Sequence, residues 1–297
     1  MLLSADSEIF EVVEFLKGEY NRRTVFSPLL WSKGMKLQLE EVYTPLRFVS
    51  TRRARSSEID VDAILREKDT GQLVHVEGSP GIGKTTYCLK LAHDWANGLM
   101  PRNFPSFKLV FLLKCRDMKG DIVEDIFEQL LPEELKKKTK EALVNFLGDS
   151  NNQKQILIIL DGLDELSQKS EDRATKILGR KKLPFCYVLA TTRQEKGIST
   201  REQFKFDICL AIEGFSKEKS FEYIRKHFGS IGEEHSYKGE TLIKEIKENP
   251  LLADLQSNPL NLLLLCVVYQ NYGASLPSSS TGPVSYTHLT LPTKLEV

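Results

Sequence analysis

The sequence predicts an α/β fold: a parallel sheet with helices on both faces, followed by a small helical domain. Three observations carry that expectation. From Gln72 onward short apolar runs alternate with amphipathic stretches. The runs, at 73–76, 108–113, 156–160 and 187–190, are near-continuous in Val, Ile and Leu, as strands covered on both faces must be. The first run leads through a glycine-rich turn into a helical stretch.

The 297 residues suffice for one large domain and a smaller one without a disulfide or metal staple. Lys and Arg number 41 and so do Asp and Glu, so charge gives no pointer to nucleic acid, an anionic membrane or a polycationic partner. Cys88, Cys115, Cys186, Cys209 and Cys266 are widely spaced, form no C-x-x-C pair and read as reduced core thiols. The start lacks the pattern of a signal peptide, and the longest apolar run, 260–269, is too short to span a bilayer, which together predict an intracellular, cytoplasmic protein.

In chain order, Phe10, Val13 and Leu16 stand at helical spacing, and the later Arg52, Arg53 and Arg55 read as a solvated linker. The segment VEGSPGIGKTT then gives G-x-x-x-x-G-K-T from Gly78 to Thr85 between strand and helix. Gly78, Gly81 and Gly83 let the backbone approach phosphate oxygens, so successive N–H groups and the helix N-terminus converge on them. Lys84 supplies the mobile positive charge, and Thr85 is placed to ligate magnesium. The predicted nucleotide-binding set is Gly78, Ser79, Pro80, Gly81, Ile82, Gly83, Lys84, Thr85 and Thr86, and the predicted nucleotide is ATP or ADP with Mg2+. The helix that follows aligns Cys88, Leu91, Ala92 and Trp95 and stops at Gly98; another opens with Asp121 and Glu124 in capping-box spacing and aligns Ile122, Ile126 and Leu130.

The next strand, in QILIILDGLDEL, delivers Asp161 at its carboxyl end, where open α/β sheets bind ligands, and this is the predicted magnesium-side carboxylate. Asp164 and Glu165 follow within one turn, and either one is placed to polarise a water at the γ-phosphate. Taken alone, these acids read equally well as the cap of a helix; the upstream loop favours the catalytic reading. The strand CYVLATTR ends in Thr191, Thr192 and Arg193, which makes Arg193 a candidate sensor of the γ-phosphate, against the alternative of an ordinary surface arginine.

The set GSPGIGKTT, LIILDGLDEL, LATTR, IEGFSKEKSFEYIRKHF and SNPLNLLLLCVVY, in this order, resembles a NACHT domain of the STAND group of P-loop ATPases, the NOD-like receptor type. The resemblance runs from about Val42 to Tyr272 and includes LVFLLKCRDM. It implies an AAA+/STAND-like P-loop NTPase sheet over 72–212 and a small helical domain over 213–275, after an N-terminal segment over 1–71 and before a linker and tail over 276–297. Gly214 and Phe215 would open the helical domain, whose first helix starts near Ser216, aligns Phe221, Ile224 and Phe228, and stops at Gly229. The resemblance also implies that Pro259 packs near the adenine, whereas the residues alone give Asn258 and Pro259 as a normal helix start. Likewise VYTPLRF, 42–48, resembles the segment that approaches the base.

The winged-helix portion of the family, its nucleotide-contacting histidine and any repeat array have no counterpart here, so the chain is expected to be a truncated fragment. The stretch VSYTHLTLPT translates back readily as a sequencing-library transposase adaptor read in frame, so residues from about Val284 onward, His288 included, are expected to be artefact and natural sequence to end near Gly282 or Pro283.

The resemblance implies a nucleotide-operated signalling switch of innate-immune or cell-death type, with slow ATP hydrolysis, self-association on activation and a protein effector. A catalytic P-loop enzyme such as a small-molecule kinase is the alternative, and acceptor-dependent turnover of about one per second or faster would mark it. A scaffold that binds nucleotide without cleaving it is the third reading, against which Asp161, Asp164 and Glu165 count.

Overall fold

The apolar runs do form a central sheet. A computed structural model describes residues 2–26, 36–51, 58–232 and 235–272. The basic stretch at Arg52, Arg53 and Arg55, and the tail from Gly273 that holds Gly282, Pro283, Val284 and His288, lie outside the described residues.

In chain order the elements are α1 (Leu2–Arg23), β1 (Val25–Phe26), β2 (Leu37–Gln38), α2 (Leu39–Val42), β3 (Arg47–Ser50), β4 (Leu73–Gly78), α3 (Lys84–Ala96), β5 (Leu109–Lys114), α4 (Ile122–Leu130), α5 (Glu133–Gly148), α6 (Ser150–Gln153), β6 (Ile156–Asp161), α7 (Gln168–Leu178), β7 (Tyr187–Arg193), α8 (Gln194–Gln203), β8 (Ile208–Gly214), α9 (Lys217–Ile231), α10 (Ser236–Glu248), α11 (Pro250–Leu255) and α12 (Pro259–Tyr272). The main sheet has six strands in the order β3-β8-β4-β7-β6-β5. β4 pairs parallel with β7 and β8, and β6 pairs parallel with β5 and β7. β4 is buried at every residue, and β5, β6 and β7 at all but the last, so both faces of the central strands are covered, as their continuous Val, Ile and Leu content requires.

Contacts divide the described residues into two compact units: those within 1–23, 48–80 and 84–212 form the first, and those within 24–47, 81–83 and 213–272 the second. In the first, α1 packs on α3 and α5. Its buried face is Ile9, Val12, Leu16 and Tyr20, which corrects the expected face of Phe10, Val13 and Leu16: Phe10 is 63% exposed. The spacing fits either set, and the contacts with α3 and α5 choose between them. Tyr20 Oη donates to Val110 O at 2.8 Å and accepts from Leu112 N at 3.0 Å, which ties α1 to the edge strand β5. Cys88, Leu91, Ala92 and Trp95 are buried on α3, and α4 opens with the capping box of Asp121 and Glu124. All five cysteines are buried, and none is in a disulfide.

In the second unit, the Ser216 hydroxyl caps α9 by accepting from Lys219 N, and Phe221, Ile224 and Phe228 are buried. Gly229 does not end this helix, as the sequence suggested; the helix runs on to Ile231 and Gly232 follows at φ 142°. A glycine inside a helix costs about 1 kcal/mol, and the packing of α9 against α10 and α12 offsets it. Among the described residues, no helix is long and apolar enough to cross a membrane.

Candidate functional site

The segment between β4 and α3 is shaped first by its backbone. Gly81 has φ 72° and Gly83 φ 100°, conformations that L side chains rarely adopt. Space makes the same demand: a Cβ on Gly83 would stand 3.0 Å from Leu46 Cδ1, and one on Gly81 2.8 Å from Leu260 Cβ. Pro80, Gly81 and Thr85 are exposed, Ser79, Gly83, Lys84 and Thr86 are partly so, and Ile82 is buried. The loop therefore presents backbone to solvent. It hands over directly to α3 at Lys84, whose first N–H groups lack intrahelical acceptors and carry the positive end of the helix dipole.

Lys84 Nζ donates to Gly78 O at 2.7 Å and Ser79 O at 3.1 Å. Burial pushes its pKa down, while the charges of Asp164 and Asp161 pull it back up. An ammonium held on weak carbonyl acceptors beside two carboxylates is ready to exchange those contacts for stronger anionic ones.

β6 carries Asp161 to the carboxyl edge of the sheet, where it pairs in register with Lys114. Thr191 Oγ1 donates to Asp161 Oδ1 at 2.9 Å, and the Cys88 Sγ lies 3.8 Å from the same oxygen. Gly162 then turns the chain at φ 83° into a 3-10 turn over Leu163–Glu165. Asp164 Oδ1 accepts from the Arg193 backbone N–H at 2.9 Å, and Oδ2 stands 2.9 Å from Arg193 Nε. The Asp164 side chain is 8% exposed and that of Arg193 52%. Glu165 is 40% exposed, its Oε1 4.0 Å from the Arg193 guanidinium.

Strand order accounts for this convergence. β7 lies between β4 and β6, with Arg193 in register with Gly78 on one side and Ala190 with Leu160 on the other. Lys84, Asp161, Asp164, Glu165 and Arg193, far apart in sequence, thereby share one edge. Within the second unit, Pro259 opens α12, and Asn258 Oδ1 caps it by accepting from Leu260 N at 3.0 Å and Asn261 N at 3.3 Å. Leu260 N also reaches Gly81 O at 3.2 Å, so the Asn258–Leu260 turn packs on Gly81 within this unit. Leu46, from the VYTPLRF segment, packs on Gly83. In the linear sequence Thr191 reads only as the end of a strand and Cys88 only as core; no linear signal marks their contact with Asp161.

Protein NLRC5 of Ictalurus punctatus is 26% identical over 250 residues, covering 74% of this chain and 14% of that protein. NLR family CARD domain-containing protein 4 of Xenopus tropicalis is 25% identical over 248 residues, covering 83% and 22%. NACHT, LRR and PYD domains-containing protein 10 of Homo sapiens is 30% identical over 179 residues, covering 52% and 25%. The chain thus spans about a seventh to a quarter of the length of these relatives. Among solved structures, the Thermotoga maritima RuvB Holliday junction branch migration motor aligns with a TM-score of 0.40 and 12% identity, covering 73% of this chain and 61% of that one. The model of the NACHT domain family matches residues 72–230, from the strand that leads into the glycine loop to the end of α9, which is more than half of the chain. The chain belongs to the NACHT domain family.

Proposed function

We propose that this chain is a nucleotide-operated signalling switch that binds ADP in one state and ATP with magnesium in the other. The observation that carries the reading is the double hold of Asp164 on Arg193 at the edge that also bears Gly78 and Lys84. A ligand shifts a conformational equilibrium only by its differential affinity for the two states. Arg193 offers such a difference, because its half-exposed guanidinium, with Nε on Asp164, keeps further N–H donors that a γ-phosphate would engage and a diphosphate would not supply a partner for.

The residues fit the group. Two left-handed glycines whose Cβ positions are blocked, the exposed loop backbone and the start of α3 make an anion cradle from Gly78 to Thr86, with Lys84 as its mobile cation. Thr85 and Asp161 would hold magnesium, which keeps most of its waters and needs few protein ligands. Bound magnesium supplies charge neutralisation at the β- and γ-phosphates. Asp164 holds Arg193 at 2.9 Å and Glu165 reaches it only at 4.0 Å, so the more exposed Glu165 is the carboxylate freer to orient an attacking water for slow hydrolysis. Pro259, beside the loop through Leu260, is proposed at the adenine. The NTPase module is proposed over 72–212 and the helical one over 213–275.

The family and the NLR names of the relatives support a signalling module of innate immunity; a cytoplasmic location, self-association on activation and a protein effector are proposed with it. The test is the association state of the purified chain by light scattering with magnesium and either ADP or an ATP analogue that carries an unhydrolysable β–γ bridge. Greater association with the analogue than with ADP supports the switch. Equal mass in both, with rapid turnover that requires a phosphate acceptor, would overturn it.

A further inference from the structure

Asp161 is held by a hydrogen-bond network. Thr191, fully buried on β7, lies one residue beyond the Leu160–Ala190 register pair. Its hydroxyl accepts from Gly162 N at 2.9 Å, which commits the hydroxyl proton elsewhere, and that proton goes to Asp161 Oδ1 at 2.9 Å. Cys88, from α3, approaches the same Oδ1 at 3.8 Å. Three elements, β6, β7 and α3, thus meet at one carboxylate oxygen. Among the described residues both donors fall on Oδ1 and none on Oδ2, and the torsion of the carboxylate is set by that asymmetry.

We propose that Thr191, assisted by Cys88, is a positioning residue that fixes Asp161 with Oδ1 turned into the protein and Oδ2 turned toward the bound cation. This rests on the reading of Asp161 as the magnesium-side carboxylate. The neighbouring Thr192 cannot substitute: it points to the other face of β7, where its hydroxyl is buried without a hydrogen-bond partner. Partners of this kind orient a ligating side chain and raise its effectiveness, and their loss typically costs about 10- to 100-fold in metal affinity.

The experiment measures the affinity of the chain for ADP and for the unhydrolysable ATP analogue, by calorimetry, with and without magnesium chloride. Thr191→Val keeps the β-branched shape and removes the hydroxyl; Thr191→Ser keeps the hydroxyl. The expected result is that Thr191→Val loses about tenfold of the magnesium-dependent gain in affinity, leaves magnesium-free binding within about twofold, and is matched by no such loss in Thr191→Ser. An unchanged magnesium gain in Thr191→Val, while Asp161→Asn abolishes it, overturns the positioning role and leaves the reading of Asp161 intact. An unchanged gain in Asp161→Asn overturns that reading, and the positioning role with it. If Thr191→Val does not fold, Thr191→Cys, a weaker donor of similar size, gives the same ratio, and a wild-type value there also overturns the proposal.

Discussion

Asp164 holds Arg193 at two points: one carboxylate oxygen accepts from the backbone N–H at 2.9 Å, and the other stands 2.9 Å from Nε of the side chain. The first contact fixes where β7 ends, and the second sets where the guanidinium goes. Because the arginine is half exposed, the pair restrains it without committing it. Arg193→Ala is therefore expected to reduce the preference for triphosphate over diphosphate by about tenfold, the worth of one charge-assisted hydrogen bond, while the melting temperature stays within a few degrees. Calorimetric titration of both nucleotides reads the ratio directly.

The strand that enters the glycine loop is anchored from behind. Glu77, buried one residue before Gly78, pairs with Arg201 of α8, and Gly197 of the same helix lies so close that an added Cβ would overlap the Glu77 carboxylate. Gly197→Ala should destabilise the chain by about 1 kcal/mol net, since overpacking and a loosened Glu77–Arg201 pair cost about 2 kcal/mol and removal of a glycine from a helix interior returns about 1 kcal/mol. Urea denaturation measures the loss. Wild-type stability in this variant would mean that Glu77 and α8 are not closely packed.

Two buried histidines make stability depend on pH. His75 and His227 are fully buried, and burial pushes both down to about 4, with Arg201 adding to the effect at His75. A histidine whose folded pKa lies below its unfolded value binds its proton more readily in the unfolded chain, so stability is present above the unfolded pKa and is lost as pH falls toward the folded one. Between about pH 6.5 and pH 4 the chain should lose stability, on the order of 2 kcal/mol for each histidine by pH 5. Denaturation series at pH 7 and pH 5 measure the fall, and His227→Phe should remove about half of it.

The N-terminal helix is expected to be part of the folded unit. Tyr20→Phe leaves Val110 O and Leu112 N without their shared hydroxyl at the sheet edge, and the cost should be about 1–3 kcal/mol. Hydrogen exchange at Leu112 should quicken in the variant; unchanged protection and stability would mean that α1 is not held by this contact.

The long-range architecture was legible where local signals agree with tertiary demand. Four strands of the main sheet announced themselves as continuous aliphatic runs, and the Asp121–Glu124 box fixed the start of α4. β8 did not stand out, because Ala211 and Glu213 interrupt its apolar pattern and its burial alternates. The four-residue β3 is too short to carry a period. The face of α1 was misread because Phe10 and Val13 compete with Ile9 and Val12 for the same spacing, and only packing decides. At the candidate site, Lys84, Asp161 and Arg193 were visible from motifs, but the bonds that orient them were not. The Thr191–Asp161 contact exists because β7 lies beside β6, and strand order is not written in either strand alone.

The central claim is that the loop from Gly78 to Thr86 holds nucleotide phosphates and that Lys84 supplies the positive charge. Isothermal titration of the chain with ADP and with the unhydrolysable ATP analogue, in magnesium, and of its Lys84→Ala variant, tests it most directly. The account predicts saturable one-to-one binding of both nucleotides by the wild-type chain, and a loss of at least about tenfold in a folded Lys84→Ala, since a charge-assisted contact to phosphate is worth about 1.5–3 kcal/mol. Absence of binding in the folded wild-type chain, or equal affinity in Lys84→Ala, would contradict it.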